Sequence, residues 1–189
     1  MELTGGHTRI NTVYTIGHST QPIENFLALL SEFEIQALID IRRFPGSRKY
    51  PAYNKEALAS SLKRAKIEYI HLESLGGRRK AHADSINTAW RNESFRGYAD
   101  YMQSPEFENG VNELERIARH KITAFMCAEA VWWRCHRSMV SDYLKAKGWN
   151  VLHILGTGNA KPHVYTKPAR VKDGMVYYSN DSSEDVEKD

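Results

Sequence analysis

The chain has only two cysteines in 189 residues. That scarcity excludes a disulfide framework of the kind that staples small secreted domains. It contains no Cys-x-x-Cys or His-x-x-x-His pair, so spacing supports no metal site and no cofactor is expected. No run approaches the roughly 18 apolar residues needed to span a bilayer. The opening "MELTGGHTRINTVYTIG" lacks a basic region leading into an apolar stretch and does not read as a secretory signal. A cytoplasmic protein without membrane contact is expected, with both cysteines held as thiols. No internal repeat is visible. The net charge of +3 is too small to argue for nucleic acid by itself.

Hydrophobic residues make up 41% and charged residues 26%, near the globular average. The length suits one α/β domain with a real core rather than two domains. The expected organisation is an N-terminal extension over residues 1–11, a single domain over 12–180 and an acidic tail over 181–189. The tail, "DSSEDVEKD", is too polar to fold and is expected to be disordered.

"TVYTIG" is a β-branched and aromatic run closed by glycine, hence a strand. Ile23, Phe26, Leu27, Leu30 and Phe33 then recur at helical spacing, with Thr20 as the expected cap and Pro22 in the first turn. "IQALIDIR" is apolar until its charged end, as in a strand covered on both faces. Asn54 is expected to cap a helix through Leu58 and Leu62, and "IEYIHL" gives a third strand. Residues 76–92 show little periodicity and predict a long functional or mobile loop. Two amphipathic helices follow, carrying Phe95, Tyr98 and Met102, then Val111, Leu114 and Ile117. "KITAFMCAE" is a fourth strand, "HRSMVSDYLKAKG" a helix closed by Gly148, and "WNVLHIL" a fifth strand. A terminal hairpin is expected around Asp173 and Gly174. The alternation predicts an open, mainly parallel sheet with helices on both faces, a Rossmann-like layering.

In such sheets ligands bind beyond the carboxyl ends of the strands. "GHS" (Gly17–Ser19) follows the first strand and "DIRRFPGS" ends the second. "GGRRK" lies just after the third, and "CAE" ends the fourth. Four strand ends thus bring histidine, serine, arginine, cysteine and glutamate to one rim. "TIGHST", "LIDIRRFPGSRKYPAYN", "LESLGGRRK", "FRGYADYM", "CAEAVWWRCHRS" and "VLHI" together resemble, in order and spacing over residues 12–155, the bacterial and archaeal family called domain of unknown function 488. The resemblance implies a compact α/β domain and carries no established reaction, substrate or cofactor.

The segment from Cys127 to Arg137 allows several chemistries. In one, Cys127 leaves the strand and Arg134, with the amides before Ser138, completes an anion cradle at a helix N-terminus, where thiol pKa values fall. That plan is similar to rhodanese and cysteine-phosphatase loops, but one residue longer than the phosphatase spacing. In another, Cys135 is the activated thiolate, set beside His136 between Arg134 and Arg137, and Cys127 is a small core residue. A metal set of Cys127, Cys135, His136 and His18 has no supporting spacing. Glu129 and His18 are acid/base candidates. Asp40 fits a pairing role toward Arg42. Ser19, Asp40, Arg42, Arg78, Arg79, Arg134, His136, Arg137 and Ser138 are the ligand-binding candidates.

These groups suit an enzyme, a hydrolase or transferase acting on an anionic, phosphate-bearing ligand such as a nucleotide or nucleic-acid end. The alternatives are a nucleic-acid-binding accessory protein and a partner-binding module. The first would use the arginines with Tyr50, Tyr53, Trp90, Trp132 and Trp133 for stacking, and the second would be anchored by Trp132 and Trp133. Phosphorylated small molecules or nucleic acid are therefore the expected partners.

Overall fold

The computed structural model describes residues 11–180. The expected tail, and all of the expected N-terminal extension except Asn11, lie outside these residues. Six strands form one sheet in the order β3-β2-β4-β1-β5-β6. The strands are β1 (Thr12–Gly17), β2 (Ala37–Asp40), β3 (Glu68–His71), β4 (Thr123–Cys127), β5 (Asn150–Gly156) and β6 (Asn159–Pro162). The first five are mutually parallel and β6 runs antiparallel to β5. The hairpin of β7 (Arg170–Lys172) and β8 (Met175–Tyr177) stands apart as a second small sheet. Asp173 and Gly174, both at positive φ, make its turn.

The helices are α1 (Ile23–Glu32), α2 (Lys55–Arg64), α3 (Glu93–Tyr101), α4 (Pro105–Ala118) and α5 (Arg137–Ala146). The chain steps outward from β1 through β2 to β3, then back through β4 to β5. Right-handed crossovers in opposite directions place their helices on opposite faces. Accordingly Phe26 and Leu30 of α1 and Leu58 and Leu62 of α2 pack with Leu38, Ala124 and Met126. Tyr98, Phe107, Leu114, Val140 and Leu144 of α3–α5 pack on the other face with Ile39, Phe125 and Cys127. Each fully buried leucine or phenylalanine contributes about 1.5–3 kcal/mol. The strict alternation along β4 aims Cys127 at the α5 side, which decides what it meets.

Some local readings change. Pro22, not Thr20, occupies the α1 cap position, and no side chain caps that helix. Asn54 holds the α2 cap position, but its side chain accepts the Ser47 amide at 2.6 Å rather than an amide of its own helix. The 76–92 loop is held in place by Asp100 of α3, whose carboxylate accepts from the His82 amide, Ser85 Oγ and Asn87 Nδ2. β6 adds to the five expected sheet strands: "NAKP" has no strand propensity of its own and owes its conformation to pairing with β5. None of the described helices is long and apolar enough to cross a membrane.

Candidate functional site: a dithiol cleft at the sheet rim

The carboxyl ends of β1, β2 and β4 surround an open cleft of about 730 Å³. β1 and β4 stay joined beyond their last residues, the His18 amide donating to the Cys127 carbonyl and the Ser19 amide to that of Ala128. The chain from 128 to 136 then folds over the rim. Gly17 permits this, because a Cβ there would collide with the Glu129 carbonyl oxygen and stand 3.0 Å from Arg137 Nη1.

At the floor, Cys127 Sγ and Cys135 Sγ are 2.8 Å apart. Burial alone would raise the Cys127 thiol, but the S–H donated by Cys135, the Arg137 charge and the Glu129 amide hold it below its ordinary value. Burial pushes Cys135 up, and its hydrogen bond to Cys127 adds to the effect. These opposite directions make Cys127 the more readily ionised thiol of the pair. The signal was available in β4, whose period of two points Cys127 toward the start of α5.

Arg137 is the largest wholly buried side chain, 1% exposed. Its Nη2 donates to the carbonyls of Glu129 and Ala130 at 3.2 and 3.3 Å, while Nε and Nη1 have no partner among the described residues. It lies behind the cleft rather than in its lining, so it acts on a ligand only through its field and through the loop it holds. Ser138 is likewise behind the wall, its hydroxyl donating to the Cys135 carbonyl. Asp40 is buried and pairs with Arg42, accepting from Nε at 2.9 Å and Nη2 at 2.6 Å, and it also accepts from the Tyr69 hydroxyl. This pairing leaves Arg42 only Nη1 to turn toward the cleft, 3.5 Å from His18 Nε2. Arg79 turns away to stack over the Tyr101 ring at 3.6 Å. The structure therefore does not bring Asp40, Arg79, Arg137 or Ser138 into the lining.

His18, Ser19, Arg42, Arg78, Cys127, Glu129, Arg134, Cys135 and His136 do line it. His18 donates from Nδ1 to the Ser19 carbonyl and stacks on Tyr53, with ring centres 4.2 Å apart. His136 donates from Nε2 to the Ile41 carbonyl. Burial holds each imidazole near pKa 4, so both are neutral acceptors at neutral pH through their other nitrogen. The side chains of Arg78 and Arg134 have no partner among the described residues. Arg43 and Phe44 also line it and lie outside the ligand-binding candidates read from the sequence. Arg43 lies within the recognised basic cluster, and Phe44 carries the Arg43 guanidinium 5.4 Å from its ring centre.

Most of the aromatics considered for stacking are used internally. Tyr53 lies under His18, Trp90 packs on Phe95, and Trp132 stacks on His153 with ring centres 4.5 Å apart. Trp133 and Phe44 remain exposed, at 54% and 62%. The described residues contain no cluster of three histidine, cysteine, aspartate or glutamate side chains fit to hold a metal ion.

Fold and cleft together define an open α/β protein with a thiol pair beneath an arginine-lined rim. The family model described as "Domain of unknown function DUF488" matches residues 22–144, and the chain belongs to that family. No curated protein and no solved structure matches it.

Proposed function

We propose that the chain is an enzyme, a hydrolase or transferase, that binds an anionic, phosphate-bearing ligand in this cleft. One observation carries the reading: among the described residues Arg43, Arg78 and Arg134, with Arg42 already paired to Asp40, line the cleft against a single lining carboxylate, Glu129. Such an excess of positive charge at the end of a parallel sheet suits a phosphoryl group, which guanidinium forks bind with geometry as well as charge. Arg78 and Arg134 meet the ligand first. Cys127 acts as nucleophile, Cys135 stabilises its thiolate by donation, and Glu129 exchanges protons with the reacting group at the open edge.

Calorimetric titration of the full chain with inorganic phosphate, a nucleoside monophosphate and a 5′-phosphorylated oligonucleotide tests this reading. Saturable binding of at least one of them, together with protection of Cys127 from alkylation, is expected. Failure of all three to bind would remove the reading. The exposed rings of Phe44 and Trp133 favour a second reading, a nucleic-acid-binding protein without catalysis. It predicts that only the oligonucleotide binds, with affinity falling steeply as salt rises.

A further inference from the structure

We propose that Cys127 and Cys135 form a reversible dithiol–disulfide centre that a hydroperoxide closes, with Cys127 as the attacking thiol and Cys135 as the resolving thiol. The inference rests on the thiol pair alone and stands whether or not the cleft binds phosphate. Strand β4 ends at Cys127, and the turn before α5 brings Cys135 back to it across seven intervening residues. Their sulfurs are 2.8 Å apart. A disulfide needs about 2.05 Å, so closure asks for less than an ångström of movement. Cys135 sits between a short 3-10 turn, Trp132–Arg134, and the helix, in extended backbone. The Cys135 amide donates to the Trp132 carbonyl and its carbonyl accepts from the Ser138 amide and hydroxyl, so the short movement falls to the side chains.

Both cysteines line the cleft although these residues are only 2% and 8% exposed. A peroxide of two heavy atoms suits such a narrow approach better than a bulky disulfide reagent. Arg137 stands behind the pair as a buried cation with two donor groups unused, so negative charge developing at Cys127 is stabilised without reorganisation.

The steps balance. The Cys127 thiolate attacks one oxygen of hydrogen peroxide, the O–O bond breaks, and hydroxide departs to take up a proton as water. Sulfur loses two electrons to become a sulfenic acid, and the peroxide gains them. Cys135 sulfur then attacks the sulfenic sulfur, the S–O bond breaks, and the leaving hydroxide takes the Cys135 proton as a second water. An external dithiol restores the pair by thiol–disulfide exchange.

The test is hydrogen peroxide titration of the reduced full chain at neutral pH, followed by alkylation and mass spectrometry of the intact protein and its peptides. Both thiols should disappear together, with the loss of two hydrogens' mass, a Cys127–Cys135 cross-linked peptide and recovery on adding dithiothreitol. Cys135→Ser should stop at a sulfenic acid on Cys127 that dimedone traps. Cys127→Ser should leave a thiol that oxidises at least about tenfold more slowly, since reactivity follows thiolate character. Two thiols that survive peroxide, oxidation of one without the other, or bridges only between separate chains would each overturn the proposal. The wild-type cross-link decides the matter even if a variant fails to fold. Phosphate titrations that show no binding would count against the anion reading and leave this centre untouched.

Discussion

Arg137 and Asp142 lie on the same face-buried helix, five residues apart, and their surroundings treat them in opposite ways. Asp142 is wholly buried and saturated. Its carboxylate accepts from His163 Nε2 at 2.8 Å, the Thr166 amide at 2.9 Å, the Thr166 hydroxyl at 2.6 Å and the Tyr178 hydroxyl at 2.9 Å. Because a carboxylate only accepts, the proton of His163 lies on Nε2. Its Nδ1 then accepts from His153 Nε2, and His153 Nδ1 accepts from the Thr15 hydroxyl. Every donor in this chain has one acceptor. Arg137, by contrast, spends two long hydrogen bonds on carbonyls and leaves two donor groups idle. A saturated buried charge ties segments together, here α5 to β5 and the C-terminal strands. An unsaturated one keeps its field for something else, and that field falls on Cys127.

The strongest way to break the contrast is Asp142→Ala. It strips His163, Thr166 and Tyr178 of their shared acceptor inside the core, and the expected loss is about 3–5 kcal/mol of unfolding free energy, since each buried donor left unsatisfied costs about 1–3 kcal/mol. Urea unfolding followed by tryptophan fluorescence measures it. A loss below about 1 kcal/mol would mean that the network is not structural.

Acid supplies the next largest effect. Burial holds His18 and His136 near pKa 4 and His153 near 2, against 6.5 for a free imidazole, with His163 and Arg137 adding to the effect on His153. The unfolded chain therefore binds protons below pH 6.5 that the folded chain refuses. Their contribution is complete above pH 6.5 and is lost as pH falls toward 4 for the two cleft imidazoles, further still for His153. For each cleft ring the loss is on the order of 3 kcal/mol at most. A urea midpoint that stays flat across that interval would show these rings to be solvated.

The alternation of strands and helices was legible because periodicities of 2 and 3.6 are written locally. The convergence of "GHS", "DIRR" and "CAE" on one rim followed from topology alone. Side-chain destinations were less legible. Arg78 and Arg79 are neighbours in sequence, yet Arg78 takes positive φ and lines the cleft while Arg79 turns to Tyr101. "WWRCHR" looked like a ligand-facing cluster, but Trp132 is claimed by His153 and Arg137 by the wall of the site. The His153–His163–Asp142 chain joins three segments whose only shared property is meeting in space. No local pattern announces it.

Arg137→Met sharpens the contrast from the other side. Replacing a half-satisfied buried cation by an apolar side chain of similar length is expected to change stability by less than about 1 kcal/mol. The same substitution removes the cation that helps ionise Cys127. Its alkylation at neutral pH should slow about tenfold, the effect of raising a thiol pKa by one unit. If stability collapsed while alkylation held, Arg137 would belong with Asp142 as a structural charge.

The smallest expected effect on the fold, and the most selective on the site, is that of Arg134→Ala. Arg134 is exposed at the cleft edge with no partner among the described residues, so truncation should move the urea midpoint by no more than about 0.5 kcal/mol in free energy. A guanidinium that binds a phosphoryl group directly contributes about 1.5 kcal/mol or more, so affinity for phosphate or a nucleotide should fall at least tenfold. Arg137 and Arg134 then separate two kinds of help. The buried arginine tunes the thiol and leaves ligand affinity nearly unchanged, whereas the exposed one binds ligand and leaves thiol reactivity nearly unchanged. Equal losses of both properties in both variants would mean that anion and thiolate occupy one indivisible site, with Cys127 itself touching the bound phosphate.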